Sequence, residues 1–160
     1  MDGDLEVQVS DALRQRGWWV CTAESCTGGL VLHRLTNVPG SSAYVLGGIV
    51  AYANEIKLAL LGVQPETLAT HGAVSEATAD EMVRGVLARF PADVAVSITG
   101  IAGPGGGSAD KPVGLTYIGV GTRAGDVRVE RYLWQGDREQ VKQQSADAAL
   151  RLILKAARDS

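Results

Sequence analysis

Three short apolar runs, residues 18–23 (WWVCTA), 45–53 (VLGGIVAYA) and 93–99 (DVAVSIT), are separated by stretches with helical spacing. This alternation constrains the fold more than any other feature of the chain. Strands that alternate with helices build a sheet covered by helices on both faces. Residues 5–16 open the pattern, with Leu5, Val9, Ala12 and Leu13 on one helical face and Gly17 as the stop. A mostly buried helix is expected over 29–35, ended by Asn37-Val38-Pro39-Gly40. Gly47 and Gly48 predict a bulge or a close backbone approach in the second run. Asn54 is expected to cap a helix that Gly62 closes, and residues 65–69 read as a single turn. Ser75 opens a clearer helix that runs to about Phe90. Two further strands, 113–123 and 127–134, flank the turn dipeptide Gly125-Asp126, and a last helix covers about 137–158. The hairpin forces an antiparallel pair. The expected fold is therefore α/β: a three-layer α/β/α sandwich with a mixed, mostly parallel five-stranded sheet, in one domain over 1–160.

Composition removes several classes of function. Hydrophobic residues make up 46% of the 160, which argues against disorder. The net charge is −3 with no basic stripe, so no nucleic-acid partner is expected. The N-terminus MDGDLEVQ is acidic, unlike a secretory leader, and no apolar run reaches the roughly 20 residues of a membrane span. Cys21 and Cys26 match no zinc spacing, and the two histidines lie far apart. A cytoplasmic protein with free thiols and no metal is expected.

Ligand sites in α/β sheets gather at the carboxyl ends of parallel strands. Three polar clusters fall there. The first is Ser25-Cys26-Thr27-Gly28-Gly29, whose amides at Cys26, Thr27 and Gly28 begin a helix and suit an oxyanion or a phosphate. A plain helix cap explains the same residues. The second is Tyr52, Asn54 and Lys57; the third is Thr99-Gly100 with the glycine-rich loop 100–112. Neither His33 nor His71 is placed to serve as a base. Lys57, set among Ile56, Leu58 and Ala59, serves if burial lowers its pKa, although a solvated surface lysine fits the same pattern. The loop 100–112 is neither a Walker A motif nor a dinucleotide fingerprint. Arg138, at the start of the last helix, faces either an anion or solvent.

The segments TAESCTGG, GGIVAYANEIK, HGAVS, TGIAGPGGGSADKPVG and GDREQVKQQSADAAL, taken in order, resemble the CinA C-terminal domain family over about residues 5–157. That family includes the nicotinamide-nucleotide amidohydrolases. The resemblance implies hydrolysis of the carboxamide of nicotinamide mononucleotide to nicotinic acid mononucleotide and ammonia, in pyridine nucleotide recycling, with no cofactor. It implies Ser25 as nucleophile, Lys57 as base with Tyr52 beside it, Thr99 and Gly100 lining the site, and Arg138 on the phosphate. It also implies a homo-oligomer, with a dimer favoured. Trp134, Ser108 and Cys21 depart from the family's usual residues without touching these groups. Many members carry a preceding domain that resembles molybdopterin-binding proteins, for which 160 residues leave no room. The competing expectation is a non-catalytic nucleotide-binding or competence-related module of the same fold.

Overall fold

A computed structural model describes residues 2–159, with side chains from Leu5 onward. The order is α1 (Asp2–Arg16), β1 (Val20–Glu24), α2 (Leu30–Thr36), a 3-10 turn (Ser41–Ala43), β2 (Val45–Val50), α3 (Asn54–Leu61), α4 (Pro65–His71), α5 (Glu76–Arg89), β3 (Val94–Gly100), β4 (Leu115–Thr122), β5 (Val127–Leu133) and α6 (Arg138–Asp159). The strands form one sheet in the order β2-β1-β3-β4-β5. β1 runs parallel to β2 and β3, while β4 is antiparallel to both β3 and β5. Four of the five strands therefore point the same way and β4 alone is reversed. The carboxyl ends of β1, β2 and β3 share one edge, and the turn from β5 into α6 returns there too.

Side-chain alternation divides the core between the two faces of the sheet. Val20 on β1 and Val94, Val96 and Ile98 on β3 pack with α1, α2 and α6. Cys21 and Ala23 on β1 and Ala95 on β3 pack with Leu61, Met82, Val83 and Val86 of α3 and α5. This period-two partition is what a sheet covered on both faces requires. All five β1 residues are buried, which explains the unbroken apolar run.

α1 stops where the sequence indicates. The amide of Trp18 reaches back to Leu13 O at 2.9 Å while Gly17 sits at φ 63°. Both readings of the Gly47-Gly48 pair hold. The β1–β2 register shifts between Val20 and Cys21, and a Cβ on Gly48 would collide with Thr22 Oγ1.

Three boundaries differ from expectation. Asn54 does not cap α3: Ala53 O accepts from the amides of Ile56 and Lys57, so the helix starts one residue earlier and Asn54 is its first, exposed residue. The expected single turn at 65–69 is the seven-residue α4, with Pro65 presetting its first φ and Gly72 closing it. The second apolar run leaves the sheet at Val50, because the amide of Ala51 is the last to reach β1, at Glu24 O (2.8 Å).

One buried charge cluster ties the outer helices together. Arg34 on α2 donates through Nε to Glu6 Oε1 on α1 at 2.8 Å and through Nη1 to Asp147 Oδ1 on α6 at 2.6 Å. The three side chains are 10%, 15% and 21% exposed. Removing the shared cation strands two half-buried carboxylates. Arg34→Ala is expected to lose about 3 kcal/mol of unfolding free energy in urea, and a loss under 1 kcal/mol would show the cluster to be dispensable.

Candidate active site

The turn from β1 into α2 is organised by Glu24, the last residue of the strand. Its carboxylate is buried, at 1% exposure, and has no cationic partner among the described ion pairs. It accepts instead from five groups. Oε1 takes Thr27 Oγ1 (2.7 Å) and the amides of Gly29 (3.2 Å) and Val31 (3.0 Å). Oε2 takes the amide of Leu32 (3.0 Å) and Thr22 Oγ1 (3.2 Å). Gly29, at the N-cap of α2, has no capping side chain, and Glu24 does that work from across the turn. Consecutive left-handed glycines, Gly28 at φ 61° and Gly29 at φ 106°, let the chain double back sharply enough for this.

The consequence for the turn is selective. Gly28, expected to offer a free amide, donates it to Ser25 O at 3.0 Å. Among the described residues no backbone oxygen accepts from the amides of Cys26 and Thr27. The Ser25 amide is fixed to Ile98 O of β3 at 2.9 Å. Ser25 is thus held from both sides, with two amides left beside it.

Lys57 reaches Ser25 from the first turn of α3. Its side chain is 1% exposed. Nζ lies 3.0 Å from Ser25 Oγ, 2.9 Å from Ala51 O and 3.0 Å from Tyr52 O. No carboxylate pairs with it among the described residues. Burial therefore lowers its pKa below the ordinary lysine value, and outweighs the opposing effect of Cys26. A neutral amine has two N–H groups and one lone pair. Donating to the two carbonyls leaves the lone pair for the proton of Ser25 Oγ.

The remaining expected residues surround a pocket of about 200 Å³ lined by Ser25, Cys26, Tyr52, Asn54, Lys57, Thr99, Gly100 and Arg138, along with Ala73, Val74 and Ala102. Thr27 and Gly28 stand outside it. Thr99 Oγ1 donates to Ala73 O at 2.7 Å, drawing the 73–74 segment against β3. Gly100 packs so tightly that a Cβ there would lie 2.9 Å from Leu115 O. Arg138 Nη1 donates to Gly103 O at 2.7 Å, tying the glycine-rich loop to α6, and Nη2 donates to the Tyr52 hydroxyl at 3.2 Å. The Tyr52 phenol, 60% exposed, makes no described hydrogen bond to Ser25 or Lys57; it is the Tyr52 carbonyl that contacts the amine.

Cys26 lies beside the nucleophile candidate but turns into the α1–α2–α6 core at 6% exposure, and burial pushes its thiol up to about 12. It forms wall and not nucleophile. His33 and His71 are exposed and line no part of the pocket. Among the described residues no group of three His, Cys, Asp or Glu is placed to hold a metal ion, and no helix is long and apolar enough to cross a membrane. A larger open depression of about 680 Å³, near Arg84, Arg89 and Arg123, lies at the opposite edge of the sheet and contains no such nucleophile and base.

Sequence reasoning gave no role to Glu24, although a carboxylate closing an apolar strand just before a helix is a readable signal. Lys142, four residues after Arg138 on α6, also approaches this turn. Its amine lies 3.9 Å from where a Cβ on Gly28 would stand.

Comparison with known proteins bears on this arrangement. The family model of the CinA C-terminal domain matches residues 2–157. A CinA-like protein of Chloroherpeton thalassium is 50% identical over 155 residues, 95% of this chain and 37% of its own. The chain spans 36–38% of the length of several such relatives. The nicotinamide-nucleotide amidohydrolase PncC of Enterobacter agglomerans is 48% identical over 152 residues, 95% of this chain and 93% of its own. Among solved structures, the competence/damage inducible protein CihA from Agrobacterium tumefaciens superposes with a TM-score of 0.94 at 43% identity, over 98% of this chain and 95% of that one. A CinA superfamily protein from Klebsiella pneumoniae gives 0.95 at 36% identity, over 100% and 99%.

Proposed function

Because the chain belongs to the CinA C-terminal domain family, we propose that it is an amidohydrolase that deamidates nicotinamide mononucleotide to nicotinic acid mononucleotide and ammonia, in pyridine nucleotide recycling in the cytoplasm. The observation that carries this reading is the buried Lys57 amine 3.0 Å from Ser25 Oγ with no carboxylate to keep it charged. A serine needs a base, and a desolvated lysine is one.

The steps follow from the geometry. Neutral Lys57 takes the proton of Ser25 Oγ as that oxygen attacks the carboxamide carbon. The amide of Cys26, which lines the pocket and has no backbone acceptor, takes the developing oxyanion, an interaction worth about 3–4 kcal/mol per donor in comparable sites. Lys57 then returns the proton to the nitrogen. The C–N bond breaks, ammonia leaves, and the acyl group remains as an ester on Ser25. Water, deprotonated by the same amine, cleaves that ester to the carboxylate and restores the serine. Tyr52 and Asn54 stand at the mouth, and Thr99 and Gly100 form the wall behind the ring. Ammonia release from nicotinamide mononucleotide, abolished in Ser25→Ala, is the test. Binding without release by the wild type would instead favour a nucleotide-binding module.

We further propose a homodimer. Of the seven exposed large hydrophobics among the described residues, five fall within 46–60: Leu46 and Val50 on the edge strand β2, Tyr52 in the connection after it, and Ile56 and Leu60 on α3. Light scattering that returned a monomer mass would remove this element.

A further inference from the structure

Two stretches of the sequence take no direct part in the chemistry above: residues 71–75 (HGAVS) and most of the glycine-rich loop 100–112. They meet at the pocket. Ala73 and Val74 form one of its walls, and Gly100 and Ala102 form another. Residues 72–75 join α4 to α5 outside any helix or strand. Among the described residues no main-chain acceptor takes the amides of Ala73, Val74 or Ser75. A wall of this kind has to be held by side chains.

Three consecutive carbonyls show how. Gly72 O accepts from Ser75 Oγ at 3.0 Å and from Thr78 Oγ1 at 2.7 Å, both at the start of α5. Ala73 O accepts from Thr99 Oγ1, which pins the segment to β3 on its inner side. His71 O accepts from the Lys111 ammonium, which pins it to the glycine-rich loop on its outer side. Lys111 is half-buried and belongs to no described ion pair. The carbonyl it takes ends α4, where the helix dipole favours a cation. Gly72 makes room for the amine: a Cβ there would stand 2.9 Å from Nζ.

The arm that carries Lys111 is stiff. Ser108 and Lys111 close a turn on each other, the Ser108 amide donating to Lys111 O at 2.8 Å and the Lys111 amide to Ser108 Oγ at 3.1 Å. Gly103 and Gly107 press on Val113 so closely that a Cβ on either would collide with it. Arg138 fastens Gly103 O near the other root of the loop. The amine therefore reaches the Ala73–Val74 wall from a fixed point, and the spacing between the two walls depends on its grip.

We propose that Lys111 is a positioning residue that sets specificity: by clamping residues 71–74 to the glycine-rich loop it fixes the width of the pocket, so that the site admits an unsubstituted carboxamide ring and rejects one wider by a methyl group. The inference rests on the amidase reading above. Lys111 itself lines no part of the pocket and acts through Ala73 and Val74.

The test is ammonia release from nicotinamide mononucleotide and from analogues carrying one methyl group at successive ring carbons, for wild type, Lys111→Met and Lys111→Arg, together with amide hydrogen exchange of residues 72–75. Methionine keeps the stem without the donor, and arginine restores a donor of similar reach. One methylene against a fitted apolar wall corresponds to about 10–200-fold discrimination. The wild type is expected to reject at least one analogue by that factor in kcat/KM. Lys111→Met is expected to lower this ratio about tenfold, as the loss of a fitted wall implies, and to speed exchange at 72–75. Lys111→Arg recovers most of both. A Lys111→Met protein with slower turnover but an unchanged ratio, or with unchanged exchange, would overturn the assignment and leave the amidase intact, as would a wild type that accepts every analogue equally well. A wild type that releases ammonia from none of these compounds overturns the amidase reading and this inference together.

Discussion

A Lys57→Met protein is expected to fold, to bind nucleotide and to release ammonia about 10⁴-fold more slowly than the wild type, the upper end of what a general base contributes. Methionine fills similar space, so the core at 1% exposure is not opened. What disappears is the amine hydrogen-bonded to Ser25 Oγ at 3.0 Å. The pH dependence of the wild type follows with a definite sign. In the proposed mechanism the neutral amine is the active form, so kcat/KM is expected to rise with pH through the Lys57 pKa and to level off above it. Burial lowers that pKa, so the midpoint lies below the ordinary lysine value. Lys57→Arg, which keeps its charge at every accessible pH, stays inactive across the profile. A Lys57→Met enzyme that retained a tenth of the rate, or a wild type with no such limb, would assign the proton to another group.

The second large effect is on stability. Glu24→Ala deprives three amides and two hydroxyls of their common acceptor in a buried place. Each stranded donor costs on the order of 1–3 kcal/mol, although small shifts and entering water recover part of the sum. A net loss of about 4 kcal/mol is expected, read as a fall in Tm of roughly 10 °C for a chain of this size. Glu24→Gln is milder. Its oxygen still accepts on one side, and its amino group meets the Leu32 amide on the other. Both variants also loosen Ser25, so the rate falls further than the fraction of folded protein explains. Thermal unfolding of Glu24→Ala within 2 °C of wild type would show that the carboxylate is not what holds the turn.

Much of the fold was legible because each strand announces its face. β1 is buried throughout as it is covered on both sides, and the alternation of helix with strand leaves few topologies open. Ser25, Lys57 and Thr99 were readable as neighbours because each lies at or after the carboxyl end of a strand, and those ends share one edge. Long-range pairing was not readable. The Arg34 cluster joins residues 28 and 113 positions apart, and no local pattern marks it. Asn54 has the composition of a cap but lost that place to the main chain, since the Ala53 carbonyl already receives two amides. Glu24 stood in plain view and escaped notice because its partners lie after the turn, at separations that only the doubled-back glycines make short.

The two carbonyls that hold the Lys57 amine, at Ala51 and Tyr52, belong to the main chain. Replacing either side chain leaves both oxygens where they are. The grip on the base is therefore beyond the reach of most single-codon changes. Only a substitution that bends the β2–α3 junction, or one at Lys57 itself, releases it. Tyr52→Phe thus isolates what the phenol does at the mouth without disturbing the amine beneath. The stretch that holds the Lys57 amine can tolerate wide variation in side chains while those two contacts stay fixed.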